Sequence, residues 1–276
     1  ATFRASIENR SRQDDSEKKH HLWHVTDRSG INLALLISCP KAPPPLERKP
    51  AADSPGGRVA VIVDDMGYSL TAMSDLCKMN QRLTISVLPN TPHAQDTARI
   101  ANENGMEVLL HLPMESDDSD SAQNRVKGIV LSSMKKQQII DIFANDLAQV
   151  PYARGVNNHM GSRITRNGQI MKTVLDQVKK NNLFFVDSVT TGETVAYDMA
   201  KSMDIPTARR QVFLDGILTE EYISAQMEEL FEKAKTMGSA IGICHPSEVA
   251  FKVLSDKLPE IKKRGMRLVF ASEIAQ

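Results

Sequence analysis

The stretch Arg58-Val-Ala-Val-Ile-Val-Asp64-Asp65-Met-Gly67 constrains the fold of this chain more than any other. Val59 to Val63 is unbroken apolar sequence rich in β-branched residues. It reads as a strand buried on both faces, as in a parallel sheet covered by helices. Two carboxylates and a glycine follow at its carboxyl end, where parallel α/β folds keep their chemistry. Asp-Asp-x-Gly is also good turn chemistry ahead of a helix, so taken alone the stretch is a turn or a site.

From Arg58 onward strand and helix patterns alternate. Leu70, Met73, Leu76 and Cys77 recur at helical spacing, and Leu83 to Leu88 is a second strand. Ala94 to Asn104 reads as a helix closed by Gly105, and Met106 to Leu112 as a third strand. Ser116 to Gly128 is acidic, Ser-rich and irregular, which places an exposed loop near the mouth of the sheet. Helices are expected over 134–150, 168–181, 194–203, 220–237 and 249–264. Strands are expected over 155–158, 183–186, 210–214, 240–244 and 267–270. Strands separated by helices and short loops imply parallel βα units, and their number suits a barrel better than an open sheet.

Residues 1–57 differ in character. Asn9 to His21 is almost wholly polar, and Pro40 to Gly57 is rich in Pro, Ala, Gly and charge. Such a composition reads as a low-complexity extension ending in a linker, with the barrel domain at 58–276. His20, His21 and His24 read as part of a solvated polar run rather than a metal site. Ile31 to Cys39 is too short to cross a bilayer and reads as a local strand or packing segment, so no membrane insertion is expected of the chain.

The 276 residues are enough to bury a sizeable core. Lys and Arg together number 34, as do Asp and Glu, so the balanced charge calls for neither nucleic acid nor an anionic membrane. Cys39, Cys77 and Cys244 are too scattered for a disulfide scaffold or a thiolate zinc site.

What points to function is recurrence at strand ends. Asp64 and Asp65 follow the first strand, His111 ends the third, and His159 lies just past the fourth. Asp187 ends the fifth, and His245 follows Ile241-Gly-Ile-Cys244. In a parallel barrel these ends share one face, so distant residues converge on one pocket. Asp187 is equally able to cap the following helix. Between Gly155 and Gly161, Asn157, Asn158 and His159 read as a site lining more readily than as a turn. Carboxylate with imidazole suits a divalent ion such as zinc in an open site. A carboxylate beside the ligands can take a proton from water, and a histidine opposite can give one to a leaving group. An aspartyl nucleophile for phosphoryl transfer is disfavoured, because no lysine or phosphate-cradling loop accompanies Asp64.

Val61-Ile-Val-Asp64-Asp65-Met-Gly67, His111-Leu-Pro-Met-Glu115, Asn157-Asn158-His159-Met-Gly161-Ser162, Phe185-Val-Asp187-Ser188 and Cys244-His245-Pro246 together resemble the divergent polysaccharide deacetylase family, relatives of the NodB-type carbohydrate esterases. The resemblance implies a deformed (β/α) barrel of about seven strands, a divalent metal, an acetylated polysaccharide substrate and a periplasmic or envelope location. It makes Asp64 the general base, Asp65 and His111 metal ligands, and His245 the catalytic acid. Glu115 stands where the family's second histidine is expected, so either Glu115 or, preferably, His159 completes the ligand set. Glu115, Asn158 and Asp187 are otherwise expected to bind substrate or support the ligands. The arginine-containing motif that orients the base has no clear counterpart, which leaves open a metal- or glycan-binding module that has lost turnover.

Overall fold

The computed structural model describes residues 6–15, 18–26, 32–40, 56–118 and 126–276. The chain divides into two units, residues 1–44 and 45–276. In the first, β1 (Ser6–Asp15), β2 (Lys18–Thr26) and β3 (Asn32–Pro40) pair antiparallel in that order. From Asn32 the apolar run thus forms a local strand, while Ile31 and the linker residues 41–55 lie outside the described residues.

The second unit alternates strand and helix. Its order is β4 (Arg58–Met66), α1 (Leu70–Met79), β5 (Thr84–Val87), α2 (Ala94–Glu103), β6 (Glu107–Met114), α3 (Lys136–Gln149), β7 (Gly155–Met160) and α4 (Gly168–Lys180). There follow β8 (Phe184–Asp187), α5 (Ala196–Ser202), β9 (Thr207–Arg209), β10 (Val212–Phe213), α6 (Glu220–Met237), β11 (Ser239–Cys244), α7 (Glu248–Lys263) and β12 (Arg267–Leu268). The sheet runs β10-β11-β4-β5-β6-β7-β8-β9 with every pair parallel, and β12 pairs the first residues of β4. Among the described residues β9 and β10 do not pair, so the sheet is a curled half-barrel. Its path holds eight strands rather than about seven. Strand β9 escaped the sequence pattern because three residues are too few to show periodicity.

The helices form where local chemistry ends as well as starts them. Thr219 caps α6 by accepting from Tyr222 N, Glu220 and Glu221 sit in its first turn, Lys235 in its last, and Gly238 closes it at φ +80°. Its buried face, Ile223, Met227, Leu230, Phe231 and Ala234, lies on the sheet.

Strand parity divides the core in two. Val59, Val61 and Val63 of β4 pack outward against the helices with Ile85, Val108, Leu110, Phe185 and Cys244. Ala60 and Ile62 point inward, with Leu109, Phe184, Val186, Ala208, Ile241 and Ile243. Val269 and Ala271 from the C-terminal segment join this inner cluster and plug the barrel below the site. Gly155 leaves room for the Phe184 ring, which a Cβ there would meet at 2.6 Å.

Beside the mouth, α3 carries Asp146, 1% exposed, whose Oδ1 accepts from Asn90 Nδ2 at 2.9 Å while Oδ2 has no hydrogen-bond partner. Burial pushes its pKa up to about 7, against the Asn90 hydrogen bond and the charge of Lys127. A carboxyl raised in this way stabilises the fold when protonated, and that contribution is lost as pH rises from the ordinary carboxylate range to about 7. Asp146→Asn is therefore expected to gain stability over the native protein on going from pH 5 to pH 8. The gain should be about 2 kcal/mol, measured by urea unfolding at both values.

Candidate metal centre and active site

In a straight strand two consecutive aspartates would point to opposite faces. Here the pairing of β4 with β5 shifts register between Val63 and Met66, and Asp65 adopts φ +54°. Asp64 keeps the inward parity of Ala60 and Ile62, while the bulge swings Asp65 toward the same pocket. Gly67, at φ +122°, completes the turn, since a Cβ there would lie 2.2 Å from Thr91 Oγ1.

His111 stands inward two residues past Leu109, well within β6, and is 2% exposed. Its Nε2 lies 3.1 Å from Asp65 Oδ1 and 3.6 Å from Asp64 Oδ2. His159, inside β7 rather than past it, brings Nδ1 to 2.9 Å from the same Asp65 oxygen. The two imidazoles meet edge to face at 5.0 Å. One ligand atom from each of Asp65, His111 and His159 falls within 4.8 Å of the others. Asp65 Oδ1 is buried and lacks a hydrogen bond of acceptable geometry despite both short distances. Three ligand atoms thus converge on one another without satisfying one another, which is the arrangement a divalent cation resolves. Burial pushes Asp65 up, but the two imidazoles outweigh it and hold the carboxyl well below the usual carboxylate range. His111 is lowered by burial, yet Asp64, Asp65 and Asn157 together raise it above an ordinary histidine.

His245 follows β11 at inward parity beyond Ile241 and Ile243. Its Nε2 lies 3.9 Å from Asp65 Oδ2. Behind it Asp215 Oδ2 accepts from His245 N at 2.6 Å, and both Asp215 oxygens lie 3.2 Å from His245 Nδ1. That contact assigns the proton to Nδ1 and aims Nε2 at the pocket. Burial lowers the His245 pKa, but the bond and charge of Asp215, with Asp64 and Asp65 beyond, lift it to about 9.

Three residues expected to line the site are engaged elsewhere. Asn158 has outward parity: its Oδ1 accepts from Ser188 N at 2.9 Å and its Nδ2 donates to Met160 O at 2.8 Å. Asp187, also outward, accepts from Val189 N, Thr194 Oγ1 and Tyr197 N, so the helix-capping alternative describes it. Glu115 accepts from Ser132 N at 2.5 Å and from Arg163 Nη1 at 3.3 Å, and it stands outside the convergent Asp-His-His group. Sequence reasoning passed over Ser86, Arg210 and Asp215, and read Asn157 as lining without separating it from Asn158. Ser86 and Asn157 have the inward parity of β5 and β7, and Arg210 follows β9 two residues past inward Ala208, a signal that was available. Asp215 lies in a loop and carried none. Arg210 donates to Ser188 O and Val189 O at 2.7 Å each; burial lowers its pKa, and the charges of Asp64 and Asp187 oppose that.

A parallel half-barrel with an aspartate and two histidines at its mouth, flanked by a second aspartate and an Asp-backed histidine, defines a deacetylase-like barrel. Residues 61–275 match the model of the divergent polysaccharide deacetylases, and the chain belongs to that family. It is 36% identical over 198 residues to the uncharacterized protein YibQ of Escherichia coli, covering 72% of this chain and 61% of that protein. The crystal structure of an uncharacterized Agrobacterium tumefaciens protein superposes with a TM-score of 0.77 at 24% identity, over 82% of this chain and 92% of the other. A deacetylase solved with substrate shares the fold at a TM-score of 0.52 and 12% identity, over 81% and 93% of the two chains.

The ligand set makes a prediction. Asp65→Ala, His111→Ala and His159→Ala are each expected to weaken zinc binding at least ~100-fold in calorimetric titration, through loss of a coordinating group. Glu115→Gln and Asp187→Asn should leave it within about threefold, since neither side chain meets the cluster.

Proposed function

We propose that this protein is a metal-dependent hydrolase that removes acetyl groups from an envelope polysaccharide outside the cytoplasm. The observation carrying the reading is that the Asp65-His111-His159 cluster is flanked by a buried carboxylate and an Asp-backed imidazole. Asp64 lies on one side and His245, raised to about 9, on the other. Asp65, His111 and His159 would hold the metal, with zinc suited to the donor set. When bound, the ion supplies Lewis acidity toward a carbonyl oxygen and toward water.

The remaining steps belong to side chains. Asp64, 3% exposed, takes the proton of the attacking water. As the acyl carbon–nitrogen bond breaks, the protonated Nε2 of His245 passes its proton to the departing amine, so N-acetyl sugar and water become amino sugar and acetate. Asp215, on Nδ1, stabilises the imidazolium that can do this. Asp64 and His245 thus divide base and acid across the pocket, one a carboxylate and the other an imidazole lifted by Asp215. The sugar has room in a cleft of about 520 Å³ that opens from Asp65 and His245 between the first turns of α1 and α7, with Tyr68, Ser69, Ser247 and Phe251 along it. Among the described residues no helix is long and apolar enough to cross a membrane. The envelope assignment is supported by the family alone.

The test is acetate release from N-acetylated and O-acetylated oligosaccharides by the zinc-loaded protein. Chelation should abolish release, and Asp64→Asn and His245→Ala should each cut kcat by at least ~100-fold. A zinc-loaded protein that releases no acetate but binds these glycans would favour the non-catalytic glycan-binding reading.

A further inference from the structure

Asn157 is 0% exposed, and its single amide meets four polar partners. Its Oδ1 accepts from Ser86 Oγ at 2.5 Å and lies 3.0 Å from His111 Nδ1. Its Nδ2 donates to Asp64 Oδ1 at 2.9 Å and to Ser188 Oγ at 3.2 Å. The amide has one sensible orientation, because turning it over would set its oxygen against the Asp64 carboxylate. An amide oxygen only accepts, so His111 carries its proton on Nδ1 and turns the Nε2 lone pair toward Asp65. An amide nitrogen only donates, so Asp64 Oδ1 is held as an acceptor while Oδ2 is left for the pocket.

We infer that Asn157 is a positioning residue that sets the tautomer of His111 and the orientation of the Asp64 carboxylate together. The effect on His111 concerns metal binding alone. The effect on Asp64 bears on catalysis and there rests on the proposed function. A partner on the far nitrogen of a metal-binding histidine commonly changes affinity by about 10- to 100-fold. A buried carboxylate that loses its donor is left unpaired. One buried amide thus ties the ligand to the base, and neither group turns without the other.

Zinc titration and thermal melting of full-length variants separate the two effects without any turnover assay. Asn157→Ala is expected to bind zinc about 10- to 100-fold more weakly than the native protein. Asn157→Asp, whose carboxylate still accepts from His111 Nδ1, should bind it no more weakly than the native protein. Asn157→Asp also faces Asp64 with a like charge and should melt lower. Combining it with Asp64→Asn exchanges donor and acceptor, and the double variant should melt above Asn157→Asp alone. Should Asn157→Ala fail to fold, the aspartate and exchanged variants decide. Native zinc affinity in a folded Asn157→Ala, weakened zinc binding in Asn157→Asp, or no recovery in the exchanged pair would overturn the inference. Where the native protein releases acetate, Asn157→Asp should lower kcat with little change in KM. A native protein that binds zinc but releases no acetate overturns the catalytic reading only, and the zinc and melting results still decide the role of Asn157.

Discussion

The site depends on one irregularity in one strand. A regular β4 would send Asp64 into the barrel and Asp65 out among the helices, leaving His111 and His159 without a carboxylate between them. The register shift before Met66 and the left-handed conformation of Asp65 cost backbone energy, of order 1–3 kcal/mol for such a residue. What holds them is the closeness of Gly67 to Thr91 on one side and the paired strands β11 and β5 on the other. Strain at this point is coupled to function, because relaxing it would withdraw the aspartate that both histidines approach.

Around that point the barrel is layered. Its middle layer is apolar, filled by Phe184, Leu109 and Ile62, and beneath it buried Glu107 and Thr84 anchor the C-terminal segment at Ser272 N and Ala271 N. One layer higher the same inward positions become polar: Asp64, Ser86, His111, Asn157 and, past β11, His245. The change from apolar to polar at constant parity gathers these side chains at the open end. There burial strengthens every ionic contact and moves proton affinities. Asp215 and Asn157 sit immediately behind this layer, each an acceptor for Nδ1 of the histidine it faces.

Much of this was legible in the sequence. The apolar run before Asp64 announced the parallel sheet, and the span of α6 was readable from its amphipathic period and caps. The convergence of Asp65, His111 and His159 was visible as recurrence at strand ends, with His159 rather than Glu115 nearest Asp65. Less visible was which neighbour in a pair faces inward. Asn157 and Asn158 are chemically identical, and only counting by twos from Gly155 separates the residue at the site from the one holding loop backbone. The same count turns Asp187 outward to cap α5. Strand parity in β4 yields to a bulge at Asp65, and a bulge is not written in composition. Asp215 lies in a loop, whose path follows from tertiary packing.

The most direct measurement is an anomalous difference map from zinc-soaked crystals, collected on both sides of the zinc absorption edge. A single strong peak is expected, touched by a carboxylate oxygen of Asp65, Nε2 of His111 and Nδ1 of His159, with Asp64 and His245 beside it but not bound. A peak ligated by Glu115 in place of His159, or none at saturating zinc, would contradict the account.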